Sequence, residues 1–245
     1  MPRPLMLFAA GFGTRMRHLT ADRPKPLIEV AGRALLDHAL DLAAGAGAAP
    51  IVVNTHYRGA QIAAHLAGRD LHIRHEEVIL ETGGGLRAAR PLLGAGPVFT
   101  LNTDAVWTGP NPLTCLDAAW MQGTGALLGL VPAAQARGYR GAGDFGLDGQ
   151  GRLIRGGPFV YTGAQIVDPA GLEDIPEAAF SLNRHWDRLI AQGRARGLVL
   201  PCGWCDVGYP EAIPLAEAVL REGPGLREGS GLREGAGLHE GAGDG

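Results

Sequence analysis

The chain has 245 residues, 46% of them hydrophobic, and a formal net charge of -3. That length allows one large domain or two small ones with a sizeable core, and the mildly acidic balance removes any general electrostatic case for a nucleic-acid partner. No apolar run approaches the length of a membrane span and the N-terminus lacks a signal-peptide pattern, so the expectation is a cytoplasmic protein with no membrane partner, as a monomer or small homo-oligomer.

The chain opens with the apolar run Leu5-Met6-Leu7-Phe8-Ala9-Ala10, which suits a buried parallel strand. Gly11, Gly13, Thr14 and Arg15 follow, a tight loop of small side chains with one cation. Glycines let backbone N–H groups turn toward an anion and let a phosphate approach closely. Lys25 then stands between Pro24 and Pro26, which restrict the backbone on both sides of it. The Walker pattern is excluded because no lysine follows these glycines at its spacing, and the dinucleotide fingerprint because Met16 occupies its third glycine position. A bare Gly-x-Gly also fits a plain turn. With the arginine and the stiffly mounted lysine added, these are the parts of a nucleoside-triphosphate site.

Further along, Leu27–Val30 reads as a short extended segment, Leu35–Ala46 as an amphipathic helix, Ile51–Asn54 as a buried strand, Gly59–Leu66 as a helix and Leu71–Arg74 as a third strand. Alternation of this kind predicts an α/β fold, a Rossmann-like, doubly wound, mostly parallel sheet, with ligands beyond the carboxyl ends of its strands. Glu81-Thr82-Gly83-Gly84-Gly85 precedes a helix expected over about Leu86–Leu93. Three glycines there suit either a flexible turn or a flat ligand lying against the main chain, with an anion favoured at the helix start. Val98–Asn102 is a further strand and delivers Thr103 and Asp104 at its end, where a carboxylate is well placed for Mg²⁺; an Asx turn or helix cap is the plain alternative.

After a helix over Asn111–Met121 and a strand over Gly125–Val131, residues Gly143–Ile154 read as a hairpin turning at Asp148-Gly149, and Phe159–Val167 as another strand. Leu182–Ile190 is an amphipathic helix with Asn183 placed to cap it. Cys202-Gly203-Trp204-Cys205 has redox-motif spacing, but Pro210 follows too closely for the expected helix start, and two thiols are too few for zinc; two reduced thiols near a site are expected. A helix over Glu211–Arg221 closes the fold. Leu220, Leu226, Leu232 and Leu238 then recur every six residues, which can signal a β-helix. One large apolar residue per turn buries too little to offset ordering, so residues 222–245 are expected to be a mobile low-complexity tail.

Gly-x-Gly-Thr-Arg followed by Pro-Lys-Pro resembles the signature of the nucleotidyltransferases that activate sugar 1-phosphates, and the likeness covers roughly the first 220 residues. The form Glu81–Gly85 is similar to that of the N-acetylmuramate 1-phosphate uridylyltransferases. The resemblance implies a nucleotide-diphospho-sugar transferase fold over residues 1–221 with a small β-rich acceptor region in its second half. It implies a nucleoside triphosphate, UTP favoured, and a sugar 1-phosphate as partners, with Mg²⁺ as cofactor. By it, Lys25 and Arg15 are the catalytic cations; Ala9, Ala10, Gly11, Gly13, Thr14, Arg15, Lys25, Asn54, Thr82, Gly83 and Gly84 bind the nucleotide; Asp144, Tyr161, Thr162, Gly163 and Asn183 meet the acceptor. Trp204–Gly208 resembles the family's Trp-x-Asp-x-Gly segment, making Asp206 the second metal carboxylate beside Asp104. Thr103 stands where many relatives have Gly. Another base or acceptor on the same scaffold, and a non-catalytic nucleotide-binding relative, are the alternatives.

Overall fold

The computed structural model describes residues 2–223. The repeat tail expected over 222–245 lies, from residue 224 onward, outside them.

Four strands form the parallel heart of the fold: β1 (Leu5–Phe8), β4 (Ile51–Thr55), β5 (His72–His75) and β6 (Val98–Asn102), in the order β6-β1-β4-β5. Between β1 and β4 lie a small β2–β3 hairpin (Glu29–Val30, Arg33–Ala34) and α1 (Leu35–Gly45); α2 (Gly59–His65) and α3 (Glu81–Leu93) complete the crossovers. The expected strand–helix alternation is therefore present, and the strand ends converge on one edge.

Side-chain alternation along these strands builds two layers. Leu5, Leu7, Val53 and Leu101 face α1, α2 and α4 (Pro112–Ala119), while Met6, Val52 and Val98 face α3 and α5 (Asn183–Ala191). Leu5, Met6 and Leu7 are fully buried; burying each such side chain is worth about 1.5–3 kcal/mol.

The second half turns antiparallel. β11 (Phe159–Val167) lies antiparallel to β6 and to β8 (Ala126–Pro132), β12 (Ala195–Val199) runs parallel to β8, and the expected hairpin is β9–β10 (Phe145–Leu147, Leu153–Arg155). The register of β11 against β8 breaks between Tyr161 and Gln165. Gly163 sits in that break at φ 85°, where a Cβ would stand 2.8 Å from Asn102 Cβ; only glycine lets the bulge close over the end of β6.

A ribbon the sequence did not announce joins β7 (Ala105–Thr108) to β13 (Gly203–Asp206), antiparallel, with Ala105 opposite Asp206. α6 (Ile213–Glu222) covers it through Val219 and Ala216, packed with Val106, Cys205 and Val207. This ribbon carries the second aspartate to the end of β6.

Two local expectations are corrected. The helix expected near Leu86 begins at Glu81, so the three glycines lie inside its first turns. Asn183 does not cap α5: the cap position is Leu182, without a side-chain cap bond, and Asn183 Nδ2 donates instead to Ser181 Oγ.

Candidate active site

Three cavities adjoin at the carboxyl ends of the strands, and Asn102, the last residue of β6, lines all of them. The first, about 230 Å³, lies over the loop after β1 and is lined by Ala9, Ala10, Gly11, Gly13, Lys25 and Thr82 among others. Its floor is fixed by a buried relay. The Ala9 N–H donates to Asn54 Oδ1 at 2.8 Å, Asn54 Nδ2 donates to Glu76 Oε1 at 2.8 Å, and Glu76 Oε2 accepts from the Leu80 N–H at 3.0 Å. Asn54 and Glu76 are each only 3% exposed. Asn54, expected as a ligand contact, thus has both ends of its amide engaged in holding β1 to the 76–80 segment. Glu76 went unread in the sequence, where nothing local distinguishes it from its neighbour Glu77.

Gly13 has φ 65°, and a Cβ there would stand 2.8 Å from Lys25 Cβ. The glycine is required by the lysine's packing as well as by the turn. Gly11 has open space around the position of a Cβ, so its bareness serves the cavity. Thr14 starts a 3-10 segment, Thr14–Thr20, and Arg15 follows it.

Gly83 and Gly84 are placed differently from the expectation. Their N–H groups both donate to Phe180 O, at 2.8 and 3.1 Å, and a Cβ on either would collide with the 178–180 segment. Close packing of α3 against that segment is what demands the glycines, and these two donors are not free for a ligand anion. Thr82 remains on the wall of the first and third cavities, its Oγ1 accepting from the Leu182 N–H at 3.0 Å.

The second cavity, about 430 Å³, is lined by Arg15, Asp104, Arg140, Thr162, Gly163 and Asp206 among others. Asp104 lines the first cavity as well, where Lys25 Nζ stands 2.9 Å from its Oδ2. Asp104 O accepts from the Val207 N–H at 2.8 Å, which ties the end of β6 to the end of β13 and sets the two aspartates side by side. Burial first, and then the charge of Asp104, push the Asp206 carboxyl up to about 6, against the pull of Lys25 and Arg15. A Cβ on Gly208 would lie 2.7 Å from Asp206 Oδ2 and 3.4 Å from Arg15 Nη1, so the carboxylate and the guanidinium meet over that bare backbone. A hydrogen bond to Tyr209, opposed by burial and helped by Asp206, raises Arg15 above its ordinary range. Arg140, unmarked in the sequence, also meets that ring, with Cζ 4.0 Å from the Tyr209 centroid. Thr103 turns its hydroxyl inward to Phe8 O at 2.8 Å and so adds no free donor to the cleft.

Thr162 and Gly163 line this second cavity, and not the third, where Asp144 and Asn183 stand. Thr162 spends its hydroxyl on Gly129 O at 2.8 Å. The third cavity, about 500 Å³, is walled by Asp144, Phe145, Arg155, Tyr161, Asn183 and Trp186 among others. Asp144 accepts there from the Tyr139 hydroxyl at 3.0 Å and the Tyr161 N–H at 2.9 Å.

Among the described residues no group of three or more His, Cys, Asp or Glu side chains is placed to hold a metal ion alone. Two adjoining carboxylates are nonetheless a donor set that suits Mg²⁺, which takes one or two protein oxygens and completes its shell with substrate phosphates and water. Burial pushes the Cys202 thiol to about 12 and Cys205 to about 11, away from the thiolate that exchange chemistry needs. No helix among the described residues is long and apolar enough to cross a membrane.

Residues 5–139 match the family model described as the MobA-like NTP transferase domain. The chain is 41% identical to the N-acetylmuramate alpha-1-phosphate uridylyltransferase of Caulobacter vibrioides, over 90% of this chain and 98% of that one. Its fold is similar to that of a putative glucose-1-phosphate thymidylyltransferase from Bacillus anthracis, at a TM-score of 0.77 and 14% identity over 89% of this chain and 95% of the other. It is also similar to the inositol-1-phosphate CTP transferase from T. maritima, at 0.71 and 16% over 91% and 97%. A cavity over a glycine loop, a cleft of paired acids and cations beside it and a further cavity beyond thus sit on a chain that belongs to the MobA-like NTP transferases, among the sugar-1-phosphate nucleotidyltransferases.

Proposed function

We propose that the protein transfers UMP from UTP to N-acetylmuramate 1-phosphate, releasing pyrophosphate, in the cytoplasm. The observation that carries this reading is the convergence of Lys25, Arg15, Asp104 and Asp206 in the cleft between the glycine-loop cavity and the third cavity. Similarity to the Caulobacter vibrioides uridylyltransferase over nearly its whole length supports the choice of base and acceptor.

A phosphate oxygen of the sugar 1-phosphate attacks the α-phosphorus, a new P–O bond forms, and the bond to the β-phosphate oxygen breaks. The acceptor is already an anion, so no protein nucleophile or general base is needed. The protein must bring two highly charged molecules together and stabilise charge at the reacting phosphorus, so positioning and electrostatics carry the rate. The nucleotide lies over Ala9–Thr14 in the first cavity, and the sugar occupies the third. Lys25 exchanges Asp104 for the α-phosphate and the acceptor phosphate. Arg15, steadied by Tyr209, holds the departing pyrophosphate. Asp104 and Asp206 would hold Mg²⁺, which supplies charge neutralisation on the phosphate oxygens when bound.

The test is pyrophosphate release from purified protein with Mg²⁺, each of the four ribonucleoside triphosphates, and a panel of sugar 1-phosphates. The reading expects UTP with N-acetylmuramate 1-phosphate to give the highest kcat/KM. Turnover only with another pair would keep the chemistry and replace the substrates; no release with any pair sinks the reading.

A further inference from the structure

Among the described residues, Arg155 is the one cationic side chain on the wall of the third cavity, and it is held as a fixed fork. Its Nε donates to Asp187 Oδ1 at 2.8 Å, and Nη2 lies 2.8 Å from the same oxygen and 3.1 Å from Asn183 O. Its Nη1 donates to Asn183 Oδ1 at 2.7 Å. A guanidinium has five N–H groups, so one N–H on Nη1 is left over. The plane is also packed on aromatic faces, with Cζ 4.9 Å from the Phe145 centroid and 5.8 Å from that of Trp186.

A neutral hexose does not need such a group. Its hydroxyls are served by neutral amides, hydroxyls and single carboxylates, and Asp144, Ser181 and Asn183 stand on the same wall. The one free N–H of a preset guanidinium is a charge-assisted donor suited to a carboxylate oxygen on the ligand. Asp187 pairs with the Nε and Nη2 side of the guanidinium, so the remaining Nη1 N–H is the donor a ligand would meet, and both oxygens of Asp144 already accept from Tyr139 and the Tyr161 N–H.

We propose that Arg155 is the specificity residue that reads an acidic substituent on the acceptor sugar. The cavity then selects a carboxylate-bearing sugar 1-phosphate, such as one with a lactyl ether, over its neutral counterpart. This rests on the transfer reading above and assigns the acceptor discrimination to one side chain. Because Asn183 and Asp187 hold the fork before the ligand arrives, little side-chain freedom remains to be lost on binding.

Two measurements test it on the full chain. The first is kcat/KM for N-acetylmuramate 1-phosphate and for N-acetylglucosamine 1-phosphate, in wild type, Arg155→Gln and Arg155→Lys. Loss of a hydrogen bond to a charged group predicts that Arg155→Gln lowers kcat/KM for the acidic sugar by about 10–100-fold. The value for the neutral sugar should fall less, so that the ratio between the two sugars narrows, and Arg155→Lys should recover part of the loss. The second is calorimetric affinity for UDP-N-acetylmuramate against UDP-N-acetylglucosamine, which needs no turnover. Wild type should prefer the acidic compound and Arg155→Gln should not. Equal losses for both sugars, or a wild type without preference in the binding measurement, overturn the proposal. Failure of the transfer reading is seen separately, as no pyrophosphate release with any acceptor, and the binding comparison then still decides the role of Arg155.

Discussion

Lys25 Nζ stands 2.9 Å from Asp104 Oδ2, with the lysine side chain 11% exposed and the aspartate 30%. Lys25 is the single lysine among the 22 Lys and Arg residues of the chain. A sequence that otherwise uses arginine for every cation keeps an ammonium at this one place. An ammonium is a compact point charge that can move from a carboxylate to a phosphate on a flexible stem, whereas a guanidinium is a wide planar fork. Lys25→Arg is therefore expected to lose nearly as much as Lys25→Ala, on the order of 10²–10³ in kcat. Pyrophosphate release under saturating substrates checks this, with the urea midpoint confirming that both variants fold. Wild-type turnover in Lys25→Arg would show that charge alone suffices.

Gly13→Ala should damage fold and activity together. Its φ of 65° is poorly tolerated by a side chain, and the new Cβ would stand 2.8 Å from Lys25 Cβ and 3.0 Å from Thr20 Cγ2. Backbone strain and overpacking each cost about 1–3 kcal/mol. Urea denaturation should register a loss of about 2 kcal/mol or more, and kcat should fall because the displaced atom belongs to the lysine stem. An unchanged midpoint would mean that the loop relaxes without moving Lys25.

The other glycines separate ligand space from packing space. A Cβ on Gly11 meets nothing within 4 Å, while one on Gly84 would lie 2.4 Å from Ala178 O. Gly11→Ala should keep the thermal midpoint of the wild type and raise KM for the nucleotide, because the methyl group intrudes on the first cavity. Gly84→Ala should lower stability by about 3 kcal/mol, while any folded fraction binds nucleotide normally. Calorimetry of nucleotide binding beside thermal melts reads both effects. The reverse pattern, a stable Gly84→Ala that fails to bind, would return the glycine run to the ligand.

These contrasts mark what sequence can carry. The Gly11–Arg15 loop, Pro24-Lys25-Pro26 and Asp104 were legible because each is local: the loop and the aspartate follow a strand end within a few residues, and the lysine is marked by the prolines on either side. The doubly wound sheet was legible from the alternation of strands and helices, but not which layer each residue of an all-apolar strand faces: Leu5 and Leu7 face one and Met6 the other. Asp206 was found through its Trp-x-Asp-x-Gly setting, but the β7–β13 ribbon that delivers it pairs two short strands far apart in the chain, and no periodicity announces such a pairing. The glycine run at 83–85 was visible, yet its reason is Phe180 and Ala178 over Gly83 and Gly84 and the Asn54–Glu76 pair over Gly85, which only tertiary structure brings against the helix. Glu76 and Arg155 were missed for the same cause. Each looks like an ordinary surface charge until Asn54 or Asn183 is set against it.

His185 gives a pH dependence with a definite sign. The residue is 2% exposed, Nε2 lies 3.0 Å from Asp168 O, and Nδ1 is buried without a partner. In the neutral ring Nε2–H donates to that carbonyl and Nδ1 carries the lone pair; protonation would put an unsatisfied N–H in the interior. Burial first, then the charges of Arg188 and Arg194, lower its pKa from the ordinary 6.5, although Asp168 pulls the other way. The unfolded chain therefore binds this proton at higher pH than the folded one, so folding stability rises with pH through the window. The contribution is full above 6.5 and drains away as pH falls from there toward the lower folded value. In urea titrations at about pH 7 and about pH 5, wild type should lose more stability on acidification than His185→Gln, which has no proton to take up. Equal losses in the two proteins would mean that His185 titrates alike in both states and that a partner reaches Nδ1 in solution.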